Sequence, residues 1–142
     1  MAQARSNRPL SPHLSIWRWG PAMAISILHR ISGNGMAFVG LPLLLWWVGA
    51  IASGPDTYAS FTSWVWTGEE GNALKAVTSI LGKIALVGLS WAFFQHLTSG
   101  VRHFILDVGA GYEVERNNRW SAILPIVAIA LTALFWVVAL VA

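Results

Sequence analysis

The side chains with the most chemical potential in this chain are its histidines, since 4 are present and cysteine is absent. Without thiolates there is no iron–sulfur ligation by this chain and no disulfide framework, so a metal here would be held by histidine. The stretch WAFFQHLTSGVRHFILD, Trp91 to Asp107, carries two of them. On a helix, Gly88, Ala92, His96, Gly100 and His103 recur at steps of four, four, four and three and share one face. A neutral imidazole coordinates iron, and small residues four positions to either side of His96 leave room for a flat porphyrin. A hydrogen bond across helices is the plainer reading of a lone histidine, and both stay open on spacing alone.

A second constellation is SILHRISG, Ser26 to Gly33. Ser26, His29, Arg30 and Gly33 fall on one helical stripe that continues through Ala37 and Gly40, so polar groups would project together above a groove of small residues. Arg30 by itself could snorkel to a membrane interface. Snorkelling does not readily explain Ser26 and His29 beside it, which favours a ligand-facing role.

These side chains must be positioned by elements that live in lipid. The composition is 56% hydrophobic and only 11% charged, with a mean hydropathy of +0.59, values unusual for a soluble domain. The expected fold class is an all-α membrane protein in which residues 1–142 form a single domain of three transmembrane helices, near residues 22–51, 76–103 and 121–141. A run such as Gly35 to Ala52 is apolar on every face, where a surface helix would alternate. The joint between the first two spans holds Tyr58, Phe61, Trp64 and Trp66, rings that settle at headgroup level, and could include a short interfacial helix.

Basic residues set the expected orientation. Arg5, Arg8 and Arg18 precede the first span and Arg102, Arg116 and Arg119 sit at or beyond the end of the second, whereas the intervening joint holds Asp56, Glu69 and Glu70 against Lys75. Residues 1–21 and the second loop should be cytoplasmic and the carboxyl end periplasmic. The amino-terminal segment lacks an apolar core before Pro21, so it reads neither as a cleavable signal nor as a transit peptide, which favours a bacterial cytoplasmic (inner) membrane. The net charge of +3 fits this topogenic bias, and no interleaving of aromatic and basic residues suggests nucleic acid as a partner.

RPLSPHLSIW, SILHRISG and HLTSGVRHFILD, in this order along three spans, resemble the cytochrome b556-type membrane anchors of succinate dehydrogenase, respiratory complex II. The similarity runs from Arg8 into the third span. The resemblance implies a subunit of an enzyme whose flavoprotein subunit oxidises succinate to fumarate, whose iron–sulfur subunit relays the electrons, and whose two small anchors bind haem b and reduce ubiquinone. It implies His96 as an axial haem ligand, the second ligand coming from the partner anchor. It places Ser26 and Arg30 at the quinone, and His29, Arg30 and His103 near the haem propionates. Catalytic residues for succinate oxidation would lie in another subunit. Gln95 stands where some members place an aromatic residue, which would affect haem packing, and Lys83 matches no functional motif and reads as a snorkelling residue.

Two readings from other classes remain at this level. A haem-free structural anchor would need the same spans. A small ion or proton conductor would use His96, Arg102 and His103, but no carboxylate within the spans continues such a relay.

Overall fold

The structure, a computed structural model, describes residues 18–141. The amino-terminal expectations resting on Arg5, Arg8, the SPHLSIW motif and Trp17 lie outside the described residues. Within them the chain is helical, in the order α1 (Pro21–Gly35), a π-helical turn (Met36–Gly40), α2 (Leu41–Ala52), α3 (Pro55–Thr62), a second π-helical turn (Ser63–Thr67), α4 (Ala73–Asp107) and α5 (Val114–Val141).

The first span is the continuous run Pro21–Ala52. Pro21 opens it, where a missing N–H costs nothing. The π turn has a local cause in Pro42, which removes one backbone donor and whose ring crowds the carbonyl of Phe38 four residues back. The span stops at Gly54, whose φ of 105° lies in the region glycine favours, and Pro55 then starts α3. A short helix is therefore present between the spans, prolonged by the second π turn, with Phe61 buried against Ala50 rather than exposed. Asn72 caps α4, its side-chain oxygen accepting from Lys75 N at 3.1 Å.

Three helices are long and apolar enough to cross a membrane: Pro21–Ala52, Ala73–Asp107 and Val114–Val141. The first matches its expected range closely, whereas α5 starts seven residues before the expected residue 121. Those added turns are polar, so hydropathy could not reveal them. They are held by an Arg119 Nη2 to Glu115 Oε1 pair at 2.7 Å and by Arg102 of α4, whose Nε and Nη2 both donate to Asn117 Oδ1 at 3.2 and 2.6 Å.

Helix α4 is the centre of the bundle. It packs on α1 and α5, which also touch each other, and on the second π turn. The interior where these helices meet is built from small and polar residues: Ser32, Ala92, Gln95, Ser99, Ser121, Ala128 and Thr132 are all buried. Large apolar side chains such as Phe38, Leu45, Ile84 and Leu134 lie outside. In lipid this inversion is expected, because apolar surface gains nothing by leaving hydrocarbon and small residues let backbones approach. The closest approach is at Gly82, where an added Cβ would overlap the Val65 backbone. A small apolar cluster of Ala50, Phe61 and Val65 fixes α3 and its π turn against α2.

Candidate functional site

The face that α1 turns to α4 is narrower than the stripe expected from spacing. At about 100° per residue, the buried Ile25 and Ser32 share an arc with His29 and Met36, while Ser26 and Gly33 fall on its shoulder and Arg30 and Ala37 beyond it. Ser26 is accordingly half-buried and Arg30 and Ala37 are exposed, so the expected single stripe divides: His29 and Gly33 meet α4, and Arg30 does not. Among the described residues neither Ser26 nor Arg30 makes a side-chain hydrogen bond to another group, and Arg30 forms no salt bridge.

On α4 the buried stripe is Ala92, Gln95, Ser99 and Arg102, offset from the histidine stripe. The expected alignment of Gly88, Ala92, His96, Gly100 and His103 therefore lies along the shoulder of the bundle, with Gly88 and His103 exposed. Gln95 is wholly buried in the bundle interior with neither side-chain polar atom paired, and it is absent from the walls of the histidine cavity. The step of 3.6 residues carries its side chain inward, off the histidine face.

His29, His96 and His103 do come together. The His29 and His96 rings stack with centroids 3.9 Å apart and planes at 13°, and His103 meets His29 edge-on at 5.0 Å. His96 Nδ1 lies 3.1 Å from His29 O. A carbonyl only accepts, so Nδ1 of His96 carries the proton and its Nε2 keeps the lone pair. Ser32 Oγ donates to the same carbonyl at 3.0 Å and can therefore only accept from His96 Nδ1, 3.4 Å away.

The mirror arrangement holds His29. Ser99 Oγ donates to Gln95 O at 2.6 Å and accepts from His29 Nδ1 at 2.7 Å, leaving Nε2 of His29 with its lone pair too. Ser32 and Ser99 are thus a reciprocal pair: each stands three residues after one histidine and supports the histidine of the opposite helix. Neither serine lies on the stripes expected from spacing, although the His-x-x-Ser repeat is visible in the sequence. Gly33 completes the cradle, since a Cβ there would come within 2.9 Å of His96 Cε1.

Beside these rings is a cavity of about 470 Å³ lined by His29, His96, Leu97, Gly100, Val101, His103 and Phe104. It is largely apolar with imidazoles along one wall, and it opens on the outer surface of the bundle, where a second subunit can complete it. No group of three or more metal-ligating side chains converges among the described residues. The chain therefore offers imidazoles with free Nε2 atoms along one wall of an apolar space rather than a closed metal cage, an arrangement that fits a haem completed by a second subunit.

Fold and site together define a multi-pass helical membrane protein with stacked imidazoles between its first two spans. The family model for the succinate dehydrogenase/fumarate reductase transmembrane subunit matches residues 4–138, and the chain belongs to that family. It is 37% identical over 134 residues to the succinate dehydrogenase cytochrome b556 subunit of Paracoccus denitrificans, covering 94% of this chain and 93% of the relative. The cytochrome b556 subunit of Rickettsia felis is 32% identical over 132 residues, covering 93% of each chain. The mitochondrial cytochrome b560 subunit of Mus musculus is 33% identical over 113 residues, covering 77% of this chain and 58% of the relative.

Proposed function

We propose that this chain is the larger membrane anchor of a succinate:ubiquinone oxidoreductase, holding haem b jointly with a second small anchor subunit and forming the quinone site with the iron–sulfur subunit. The observation that supports the reading is the His96 Nδ1 to His29 O hydrogen bond, which fixes the proton on Nδ1 and leaves Nε2 free to ligate. Bound haem supplies a one-electron redox centre within reach of the membrane interior. His96 would hold the iron through its free Nε2. His29 and His103 line the same cavity and would interact with the haem propionates.

Ser26 and Arg30 serve the quinone from the flank of α1. Ser26 Oγ donates a hydrogen bond to a quinone carbonyl, and the exposed Arg30 guanidinium adds a permanent positive charge near a headgroup whose apolar tail stays in lipid. Two electrons from the iron–sulfur subunit and two protons convert the quinone to the quinol. With the amino terminus in the cytoplasm of a bacterium, the protons enter from that side of the inner membrane. Succinate oxidation itself takes place in the flavoprotein subunit.

The test is the dithionite-reduced absorption spectrum of the complex purified with its partner anchor. A b-type spectrum is expected, lost or shifted in His96→Ala and less affected in His103→Ala. An unchanged bis-histidine low-spin spectrum in His96→Ala would overturn the ligand assignment, and an intact complex without any b-type spectrum would leave a purely structural anchor.

A further inference from the structure

Lys83 is unused by the histidine site and by the packing of the bundle. It is exposed on α4, with Nζ 5.6 Å from the centroid of the Trp66 ring. Lys75, the other lysine, is neutralised by a salt bridge to Glu69. Lys83 has no carboxylate partner among the described residues.

Its depth is informative. The stretch Ile84–Val101 contains no Lys, Arg, Asp or Glu, and at about 1.5 Å per residue it is roughly 27 Å long, close to the roughly 30 Å of a bilayer's hydrocarbon. Arg102 marks one end of this stretch and Lys83 the other, away from the histidines; Lys83 stands inside the expected span 76–103, and its flexible stem can snorkel outward to the lipid phosphates. Immediately below it runs a groove of about 770 Å³ between α2, α3 and α4. Trp66, under the Lys83 ammonium, is part of its lining, together with Leu86, Leu89, Gly40 and Met36. Leu86 and Leu89 are three and six positions beyond Lys83, roughly 4.5 and 9 Å deeper along the helix axis.

We infer that Lys83 and this groove form a binding site for one anionic phospholipid. The phosphate pairs with the ammonium, the glycerol region rests on the indole of Trp66, and an acyl chain descends along Leu86 and Leu89 toward Gly40. Charge selects the headgroup, because an unpaired cation at phosphate depth favours a net negative lipid over a zwitterionic one. The apolar lining holds the chain without selecting it. The site lies apart from the haem and quinone positions and does not depend on their assignment.

The experiment uses the assembled complex, delipidated in detergent and re-equilibrated with vesicles of phosphatidylglycerol or phosphatidylcholine, with retained lipid counted by mass spectrometry. Wild type and Lys83→Arg should retain phosphatidylglycerol, and Lys83→Gln should retain about fivefold less, as expected for one basic residue at an anionic surface. Phosphatidylcholine retention should be low and the same in all three. Leu86→Trp, which fills the groove without touching the charge, should also lose phosphatidylglycerol. Equal retention of both lipids by wild type, or wild-type retention by Lys83→Gln or Leu86→Trp, would overturn the site. So would a complex that retains neither lipid, because the groove would then be covered by the partner anchor, or one in which ubiquinone rather than phospholipid is displaced by Leu86→Trp.

Discussion

Replacing Gly33 by alanine tests whether the His96 cradle is as close-fitting as the geometry requires. The added Cβ would stand 2.9 Å from His96 Cε1 and 3.2 Å from Nδ1. A carbon–carbon contact settles near about 3.6 Å, so the ring must retreat by roughly 0.7 Å. Retreat lengthens the 3.1 Å bond from His96 Nδ1 to His29 O to nearly 3.8 Å, about where a hydrogen bond ends. Its loss costs about 0.5–1.5 kcal/mol and the overpacking about 1–3 kcal/mol, offset by about 1 kcal/mol because alanine is the better helix former. The balance is roughly 0.5–3.5 kcal/mol of destabilisation, concentrated at the imidazole. Gly35→Ala on the same helix is the control: its Cβ would meet nothing within 4 Å, so only the gain of up to about 1 kcal/mol applies. The assay is thermal loss of the reduced b-type absorbance in the assembled complex. Gly33→Ala should shift the spectrum and lower the temperature of haem loss, with Gly35→Ala unchanged or more stable. Indistinguishable behaviour of the two variants would refute the cradle.

Other perturbations read other parts of the molecule. Gly82→Ala should cost about 3 kcal/mol or more, because the atoms it meets are Val65 backbone and cannot swing aside; the yield of assembled complex, compared with Gly88→Ala, which meets nothing within 4 Å, checks this. Ser26→Ala and Arg30→Leu should each lower the ratio of quinone reductase to artificial-acceptor activity at matched complex content, with serine contributing about 0.5–1.5 kcal/mol; an unchanged ratio in both would return Arg30 to a snorkelling role. A reporter active only in the periplasm should be active when fused after Ala142 and silent after Arg116, and the reverse pattern would invert the topology.

The spans were legible in the sequence because hydropathy acts over whole turns, and the short α3 with its π turn was legible from the aromatic side chains Tyr58, Phe61 and Trp64. The amino-terminal start of α5 was not, since its first turns are polar and depend on the Arg102 fork to Asn117, a contact between spans. The histidine cluster was partly legible. Residue spacing put His96 and His103 on one face and His29 on another, but it treated faces as broad sectors. Real helices share an edge only over a narrow arc, so Arg30 fell outside the packed face and the offset stripe through Gln95 and Ser99 became the core. The roles of Ser32 and Ser99 depended on a crossing between helices, which no single-helix periodicity contains.

The polar, small-residue interior also sets how this bundle responds to temperature. When a water-soluble domain unfolds, apolar side chains enter water, and the resulting heat-capacity increase bends its stability curve into a dome. Here separating α1, α4 and α5 within the bilayer exchanges Ser99, Ala92, Ala128 and Thr132 contacts for contacts with acyl chains, and little apolar surface is hydrated. The heat-capacity change of helix separation should therefore be small, and the stability of the bundle should fall almost linearly on warming, with no maximum near room temperature and no tendency to come apart in the cold.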